Sequence, residues 1–262
     1  MSNHATIIAD SISQTGKRIT TFVLPRFPRC LLAELNTHRQ LSRNAESSRA
    51  IPVKRRIQKI LEDPYIPTFT ANQSGMVGAP LTENQVAFAI TIWKQAMQEM
   101  IDHARWLANN NIHKEMANRL LEPFARVPVI VTATEWENFF ALRTADNTAP
   151  DFRTTALEMQ ELLSWCKPQL CADDGWHKPF WTHDLAEYQL EEQLKICSAR
   201  CARISYSNHN GNYDPQQDLE LAERLINDGH WSPFEHIARP VYNNQPTANL
   251  VGWQSFRTYL GF

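Results

Sequence analysis

The run from Asn36 to Arg49, Asn-Thr-His-Arg-Gln-Leu-Ser-Arg-Asn-Ala-Glu-Ser-Ser-Arg, carries three arginines, one histidine and three serines in fourteen residues. Guanidinium groups present paired N–H donors in a fixed fork and hydroxyls add directional donors, the set that a phosphate monoester needs. The run points to an anion site, and its charge equally suits a solvated basic helix face. Two more arginines lie beside apolar residues, in Asn118-Arg-Leu-Leu-Glu-Pro123 and in Asn138-Phe-Phe-Ala-Leu-Arg143. Either alone can snorkel; converging on the first run, they suit a dianionic substrate. A fourth feature, Asp228-Gly-His-Trp-Ser-Pro-Phe-Glu-His236, places two histidines around Glu235. That pattern fits catalysis or metal binding, and equally a capped turn with a satisfied histidine. No Walker loop, Gly-x-Gly-x-x-Gly or Gly-x-Ser-x-Gly stretch occurs, so phosphate binding cannot use those loops, and Ser42 and Ser47 are nucleophiles only in principle.

These residues need elements to hold them. The β-branched run Arg18 to Leu24 predicts a strand stopped by Pro25 and Pro28, and Arg29 to Leu41 predicts a helix leading into the polar run, ended by Pro52. Thr82 and Gln85 form a capping-box pattern before a long helix whose apolar positions are Val86, Ile90, Trp93, Met97, Met100, Ala104 and Leu107. That stripe suits a core helix or a subunit interface, the plain core being favoured. Val127 to Thr132 reads as a strand, with Pro128 hinting at an edge. A second capping box, Thr134 to Glu137, opens a helix carrying Trp136, Phe139, Phe140 and Arg143. Further helices are expected around Thr154 to Trp165, Ala186 to Ser198 and Asp218 to Asn227, with Gly229 as a C-cap. Residues 167–183 read as a long loop and Ile237 to Tyr242 as a short apolar segment. Helices and strands mix without a linker, giving an α+β or α/β fold in one domain, residues 1–262.

Composition narrows the class. The chain has 262 residues, 43% hydrophobic and 21% charged, which suits a folded protein with a full core. A formal net charge of −2 argues against wrapping nucleic acid. No apolar run is long enough for a membrane span, and the first residues lack a signal-peptide layout, so a cytoplasmic protein is expected. The five cysteines are expected to be free thiols. Cys197 and Cys201 share a helical face, but no second ligand pair has finger spacing, and no metal is expected.

The stretch Thr37-His38-Arg39-Gln40-Leu41-Ser42-Arg43-Asn44-Ala45-Glu46-Ser47-Ser48-Arg49 resembles the flavin-dependent thymidylate synthase signature Arg-His-Arg-x-x-Ser-x-Asn-Glu-x-Ser-x-Arg, matching six of its eight fixed positions. Arg119 to Pro123, Trp136 to Arg143 and Thr148 to Arg153 resemble further segments of that family, with Ala149 replacing a glutamine. Ala202-Arg-Ile-Ser-Tyr206 and Gly229-His-x-Ser-Pro-Phe-Glu-His236 resemble two segments that in the family precede the long motif, so the chain looks circularly permuted. Its fold is then expected to be α+β, a mixed sheet with long helices.

The resemblance implies reductive methylation of C5 of dUMP with methylenetetrahydrofolate as carbon donor, FAD as redox carrier and NADPH as reductant, in a homotetramer whose subunits share sites. Carried over, Ser47, Arg49, Arg119 and Arg143 bind the nucleotide, with Arg49 and Arg143 catalytic. His38, Arg39, Asn138, His230 and Ser232 contact FAD. Thr37 and Ala45 replace a family arginine and glutamate, which opens two alternatives: C5 hydroxymethylation or hydroxylation of dUMP or dCMP, or a catalytically silent nucleotide- or nucleic-acid-binding relative.

Overall fold

The computed structural model describes residues 4–75, 77–206, 213–242 and 246–262. Its centre is a five-stranded mixed sheet in the order β3-β4-β2-β1-β5, built from β1 (Thr6–Ser13), β2 (Arg18–Pro28), β3 (Ser42–Ala45), β4 (Arg126–Ala133) and β5 (Gln169–Cys171). β1 and β2 form a hairpin whose turn needs Gly16 at φ +79°. All pairings are antiparallel except β1 with β5.

Both faces of the sheet are covered, so β2 and β4 read as nearly continuous apolar runs that split by alternation. Phe22, Leu24, Val129 and Val131 pack on one side against Trp136, Phe139 and Phe140 of the α5 region (Glu137–Arg143) and Phe152 and Met159 of α6 (Pro150–Trp165). Val23 and Ile130 face α7 (Leu190–Arg203) and α8 (Pro215–Asn227), whose Leu194, Ile196, Cys197, Cys201, Leu221 and Leu225 complete a second core. A third cluster joins α2 (Val53–Glu62), α3 (Glu83–Asn109) and α4 (Lys114–Arg119) through Ile57, Ile60, Ile101, Ala104 and Ala117. α1 is a single turn, Leu32–Leu35. Short strands β6 (Ala238–Pro240), β7 (Pro246–Thr247), β8 (Leu250–Val251) and β9 (Trp253–Ser255) and the turn α9 (Phe256–Tyr259) end the chain.

Several sequence expectations are corrected. β2 does not stop at Pro25: the pairing register jumps between Leu24 and Phe27, and Pro25 sits in that irregularity, where no ladder N–H is needed. Pro128 faces the same irregularity, and β4 is an interior strand rather than an edge. The helix expected through Leu41 ends at Leu35. Thr37 Oγ1 donates to the Glu34 carbonyl at 2.7 Å, and Arg43 ties down Asn36, so side chains take up groups that a longer helix would use.

The polar run is therefore not a helix face: Ser42–Ala45 is an edge strand on β4. The Thr134 cap does not form either; the helix starts after Trp136 without a side-chain cap, and Thr134 Oγ1 accepts from the Val251 N–H. α6 begins earlier than expected, with Pro150 in its first turn. α7 begins later, at Leu190 behind its own Gln189–Glu192 capping box, and runs on to Arg203. α8 starts at Pro215, capped by Asp214. Residues 167–183 are mostly loop but contribute β5.

The long helix keeps its Thr82–Gln85 capping box. Of its apolar stripe only Ala104 is buried; the other members are half-buried, and Phe88 and Ile92 beside it are exposed. All five cysteines are unpaired, and burial pushes the Cys197 thiol up to about 12 and that of Cys201 well above its ordinary value. No helix among the described residues is long and apolar enough to cross a membrane.

Candidate active site

β3 and the turns on either side of it carry the motif residues into two cavities. Before the strand, Arg43 turns back and clamps residues 36–41: its Nε donates to Asn36 Oδ1 at 2.7 Å and its Nη groups donate to the carbonyls of Asn36, His38 and Leu41 at 2.9, 3.1 and 2.5 Å. That turn forms one wall of a cavity of about 300 Å³ with Thr37, His38, Arg39, Gln40 and Leu41, closed by Glu135, Asn138, Phe139 and Leu142. Arg39 is exposed at it, and no described residue forms an ion pair with it.

His38 is 8% exposed and stands edge-on to Phe139 at 5.0 Å. Arg143, the residue that ends α5, donates its Nε–H to His38 Nε2 at 2.7 Å, approaches Glu34 at 3.4 Å and lies over the Phe152 ring at 4.7 Å. Burial, with the charges of Arg143 and Arg43, pushes the His38 imidazole down to about 4. It is neutral at pH 7 and, since Nε2 accepts, carries its proton on Nδ1.

After β3 the chain alternates. Glu46 and Ser48 turn inward, and Ser47 and Arg49 turn outward. Glu46 is fully buried between Arg56 Nη1 at 2.5 Å and Lys59 Nζ at 2.7 Å. Ser48 donates to Glu122 at 2.5 Å, and Arg29 pairs with Glu122 at 3.0 Å while donating to the Glu46 carbonyl at 2.6 Å. Buried Asn118 donates to the carbonyls of Ser48 and Ile51 at 2.9 and 2.8 Å. These anchors leave Ser47 and Arg49 on a second cavity of about 460 Å³, completed by Asn44, Ala50, Lys114, Ala202, Ser205, Leu225, His230, Ser232 and Pro233. Ser47 N–H donates to the Ser205 carbonyl at 3.2 Å, and Asn44 and the Ser232 hydroxyl are hydrogen-bonded at 2.9 Å. Arg49, Lys114 and His230 are exposed there, and no carboxylate is among the lining residues. The cavity is thus cationic and rich in hydroxyls, a setting for an anion.

The structure thus groups the expected site residues as two sets. His38, Arg39 and Asn138 share the smaller cavity, with Arg143 behind His38. Ser47, Arg49, His230 and Ser232 share the larger one. Arg119 lines neither; it is exposed and pairs with Glu115 at 3.1 Å and Glu122 at 3.6 Å. Arg43 is spent on backbone carbonyls. Glu46 is committed to Arg56 and Lys59, so it does not stand in at the cavity for the glutamate that Ala45 replaces.

His230 and His236 do not form a pair. His230 reaches the cavity, whereas His236 is buried and satisfied at both nitrogens by Thr132 and Asn44, at 2.8 and 2.9 Å. Gly229 at φ +72° ends α8 and turns the chain into this segment. Sequence reasoning missed Lys114 and Glu135, which no local pattern marks; it singled out the Ala202–Tyr206 segment without assigning Ser205 a role, and it passed over Asn118, whose role lies in two distant carbonyls.

No curated protein sequence matches the chain. Among solved structures it is similar to a UMP/dUMP methylase, PolB from Streptomyces cacaoi, bound with 5-Br UMP: 16% identity over 61% of this chain and 87% of that one, TM-score 0.49. It is also similar to the flavin-dependent thymidylate synthase ThyX from Helicobacter pylori complexed with FAD and dUMP: 17% identity over 55% of this chain and 67% of that one, TM-score 0.39. The model of the family described as thymidylate synthase complementing protein matches residues 18–169, more than half of the chain, which includes β2 to α6, all the residues of the smaller cavity and the motif side of the larger one. The chain therefore belongs to the thymidylate synthase complementing proteins, the flavin-dependent thymidylate synthases, and is an enzyme of that methyltransferase class.

Proposed function

We propose that the enzyme methylates C5 of dUMP reductively to give dTMP, with methylenetetrahydrofolate as carbon donor, FAD as cofactor and NADPH as reductant. The observation that carries this reading is the cavity of about 460 Å³ in which Ser47, Arg49 and Lys114 meet His230 and Ser232 with no carboxylate among the lining residues. A nucleotide monophosphate matches the Ser47, Arg49 and Lys114 donors in charge and hydrogen bonding. Arg49 and Ser47 hold the phosphate, and Arg143 acts through His38 rather than on the nucleotide.

The smaller cavity has donors at Arg39 and Asn138 and apolar walls at Leu41, Phe139 and Leu142, which fit the edge and face of a planar ring. At about 300 Å³ it accommodates part of FAD and not the whole. A homotetramer with shared sites supplies the remaining walls, and the half-buried stripe of α3 with exposed Phe88 and Ile92 supports such an assembly. FAD supplies the redox chemistry when bound. His38, Arg39 and Asn138 orient it, with His230 and Ser232 at the junction with the nucleotide. We also read the chain as circularly permuted: the Ser47–Ser205 and Asn44–Ser232 contacts bring the C-terminal segments to the motif in space, whatever their order in sequence.

One observation favours a second reading. With Ala45 in the motif and Glu46 turned inward, the cavity lacks the family's carboxylate, which leaves base choice and product open to C5 hydroxymethylation or hydroxylation of dUMP or dCMP. The test is the visible spectrum of the protein with added FAD and dUMP, followed by product analysis with methylenetetrahydrofolate and NADPH. Flavin bands that shift with dUMP, and dTMP as product, support the first reading. Hydroxylated product supports the second, and failure to bind flavin after reconstitution refutes both.

A further inference from the structure

Seven polar side chains form one unbranched hydrogen-bonded file through the sheet. Ser232 meets Asn44 at 2.9 Å, Asn44 meets His236 Nε2 at 2.9 Å, and His236 Nδ1 meets Thr132 at 2.8 Å. Thr132 meets Thr21 at 2.7 Å, Thr21 meets His177 Nε2 at 2.8 Å, and His177 Nδ1 meets Ser11 at 2.9 Å. Thr21, Thr132, His177 and His236 are all 0% exposed. One end opens on the anion cavity at Ser232; the other opens at Ser11 on a cavity of about 450 Å³ with Asp10, Trp176, Lys178 and Trp181.

The file has a direction. A hydroxyl has one proton and a neutral imidazole one N–H. The buried Thr21 and Thr132 have no other side-chain acceptor for theirs in the file, so with each of those protons donated within it, fixing one bond fixes the others. Burial pushes both imidazoles down to about 3, which keeps them neutral. The Asn44 amide sets the sense. One of its ends lies 3.2 Å from the carbonyl oxygens of Arg43 and Ser232 and 2.9 Å from His236 Nε2, and the other lies 2.9 Å from Ser232 Oγ. Carbonyls only accept, so the amide nitrogen faces them and the amide oxygen faces the Ser232 hydroxyl. His236 Nε2 then accepts, and its Nδ1–H donates to Thr132. Thr132 donates to Thr21, Thr21 to His177 Nε2, and His177 Nδ1–H to Ser11.

We infer that Ser232 enters the anion cavity as a hydrogen-bond acceptor, its one proton held by Asn44, and that Asn44 imposes the same sense through His236, Thr132 and Thr21 on the His177 tautomer across the sheet. The group that docks on Ser232 is a hydrogen-bond donor, and the imide N–H that uracil and the flavin ring share is one. The assignment of a ligand there rests on the reading of this cavity as the nucleotide site; the polarity of the file does not.

The two parts are tested separately. In protein labelled with ¹⁵N-histidine at pH 7, the imidazoles of His177 and His236 both show a protonated Nδ1 and a bare Nε2. Either one as Nε2–H or imidazolium, or the two in different forms, overturns the file, whether or not the enzyme turns over. Thr132→Val cuts the file in the middle: His236, still facing the Asn44 amide, keeps its Nδ1–H form while His177 becomes a mixture of tautomers, and Thr132→Ser restores the single form. If the valine variant does not fold, the wild-type spectrum still decides. For the ligand, dUMP and FAD are titrated separately onto Ser232→Ala. The one whose imide docks there binds about three- to tenfold more weakly, and unchanged affinity for both overturns the acceptor role.

Discussion

Arg143 donates its Nε–H to Nε2 of His38 at 2.7 Å, joining the end of α5 to the turn before β3 across 105 residues of sequence. The contact makes His38 a neutral Nδ1–H tautomer and aims it past Phe139 at the smaller cavity. The resemblance implies a nucleotide role for Arg143; on the reading proposed above it orients His38 instead.

Arg143→Ala should therefore act on flavin more than on nucleotide. Loss of a charged hydrogen-bond donor costs about 1.5–3 kcal/mol, so FAD retention, read as flavin absorbance per chain, should fall by tenfold or more while dUMP affinity changes less. The His38 imidazole, freed of one cation, should titrate above its value of about 4. Loss of dUMP affinity with flavin retained would place Arg143 at the nucleotide instead.

Two neighbours in the motif should separate binding from stability. Arg49→Ala removes an exposed side chain, so the urea midpoint should hardly move, within about 0.5 kcal/mol. dUMP affinity should drop by about 1.5–3 kcal/mol. Glu46→Gln leaves Arg56 buried beside a neutral partner and should destabilise the fold by about 3 kcal/mol or more. A Glu46→Gln variant of wild-type stability with weakened nucleotide binding would place that carboxylate at the cavity.

Asn118→Leu should do both. It leaves the buried carbonyls of Ser48 and Ile51 without donors, at about 1–3 kcal/mol each, and it releases the segment that carries Ser47 and Arg49. Calorimetry and a dUMP titration should both register it. A change in Tm alone would mean that the segment holds its course without Asn118.

Acid should weaken the protein through two histidines. An unfolded imidazole titrates near 6.5, whereas burial holds His177 and His236 neutral in the folded chain down to about 3. Between those values the unfolded chain binds more protons, so stability rises with pH. The contribution is complete above 6.5 and is lost by about 1.4 kcal/mol per pH unit for each histidine as pH falls. The urea midpoint should be clearly lower at pH 5.5 than at 7.5, and the difference should shrink in a His177→Gln, His236→Gln variant. Equal midpoints at the two pH values would show that neither imidazole is buried neutral.

The sequence by itself determined the family, the motif and the elements with strong local signals. The Thr82–Gln85 box and the apolar stripe mark α3 because capping and period are local, and the β-branched runs mark β2 and β4 for the same reason. Gly229 marks the end of α8. What the sequence left open is what each polar residue in the motif does. Arg39, Arg43 and Arg49 are chemically alike, yet Arg43 is consumed by three carbonyls while the other two stay exposed at cavities. Glu46 and Ser47 are adjacent, yet strand-like alternation sends one into a buried ion pair and the other to the larger cavity. The Asn36–Arg49 run has the charge of a surface helix, and only its pairing with β4 makes part of it a strand. The tertiary structure alone joined His38 to Arg143, and Asn44 to His236 and Ser232, because a hydrogen bond between distant residues depends on where the sheet and helices place two short side chains. No local preference in the chain encodes that distance.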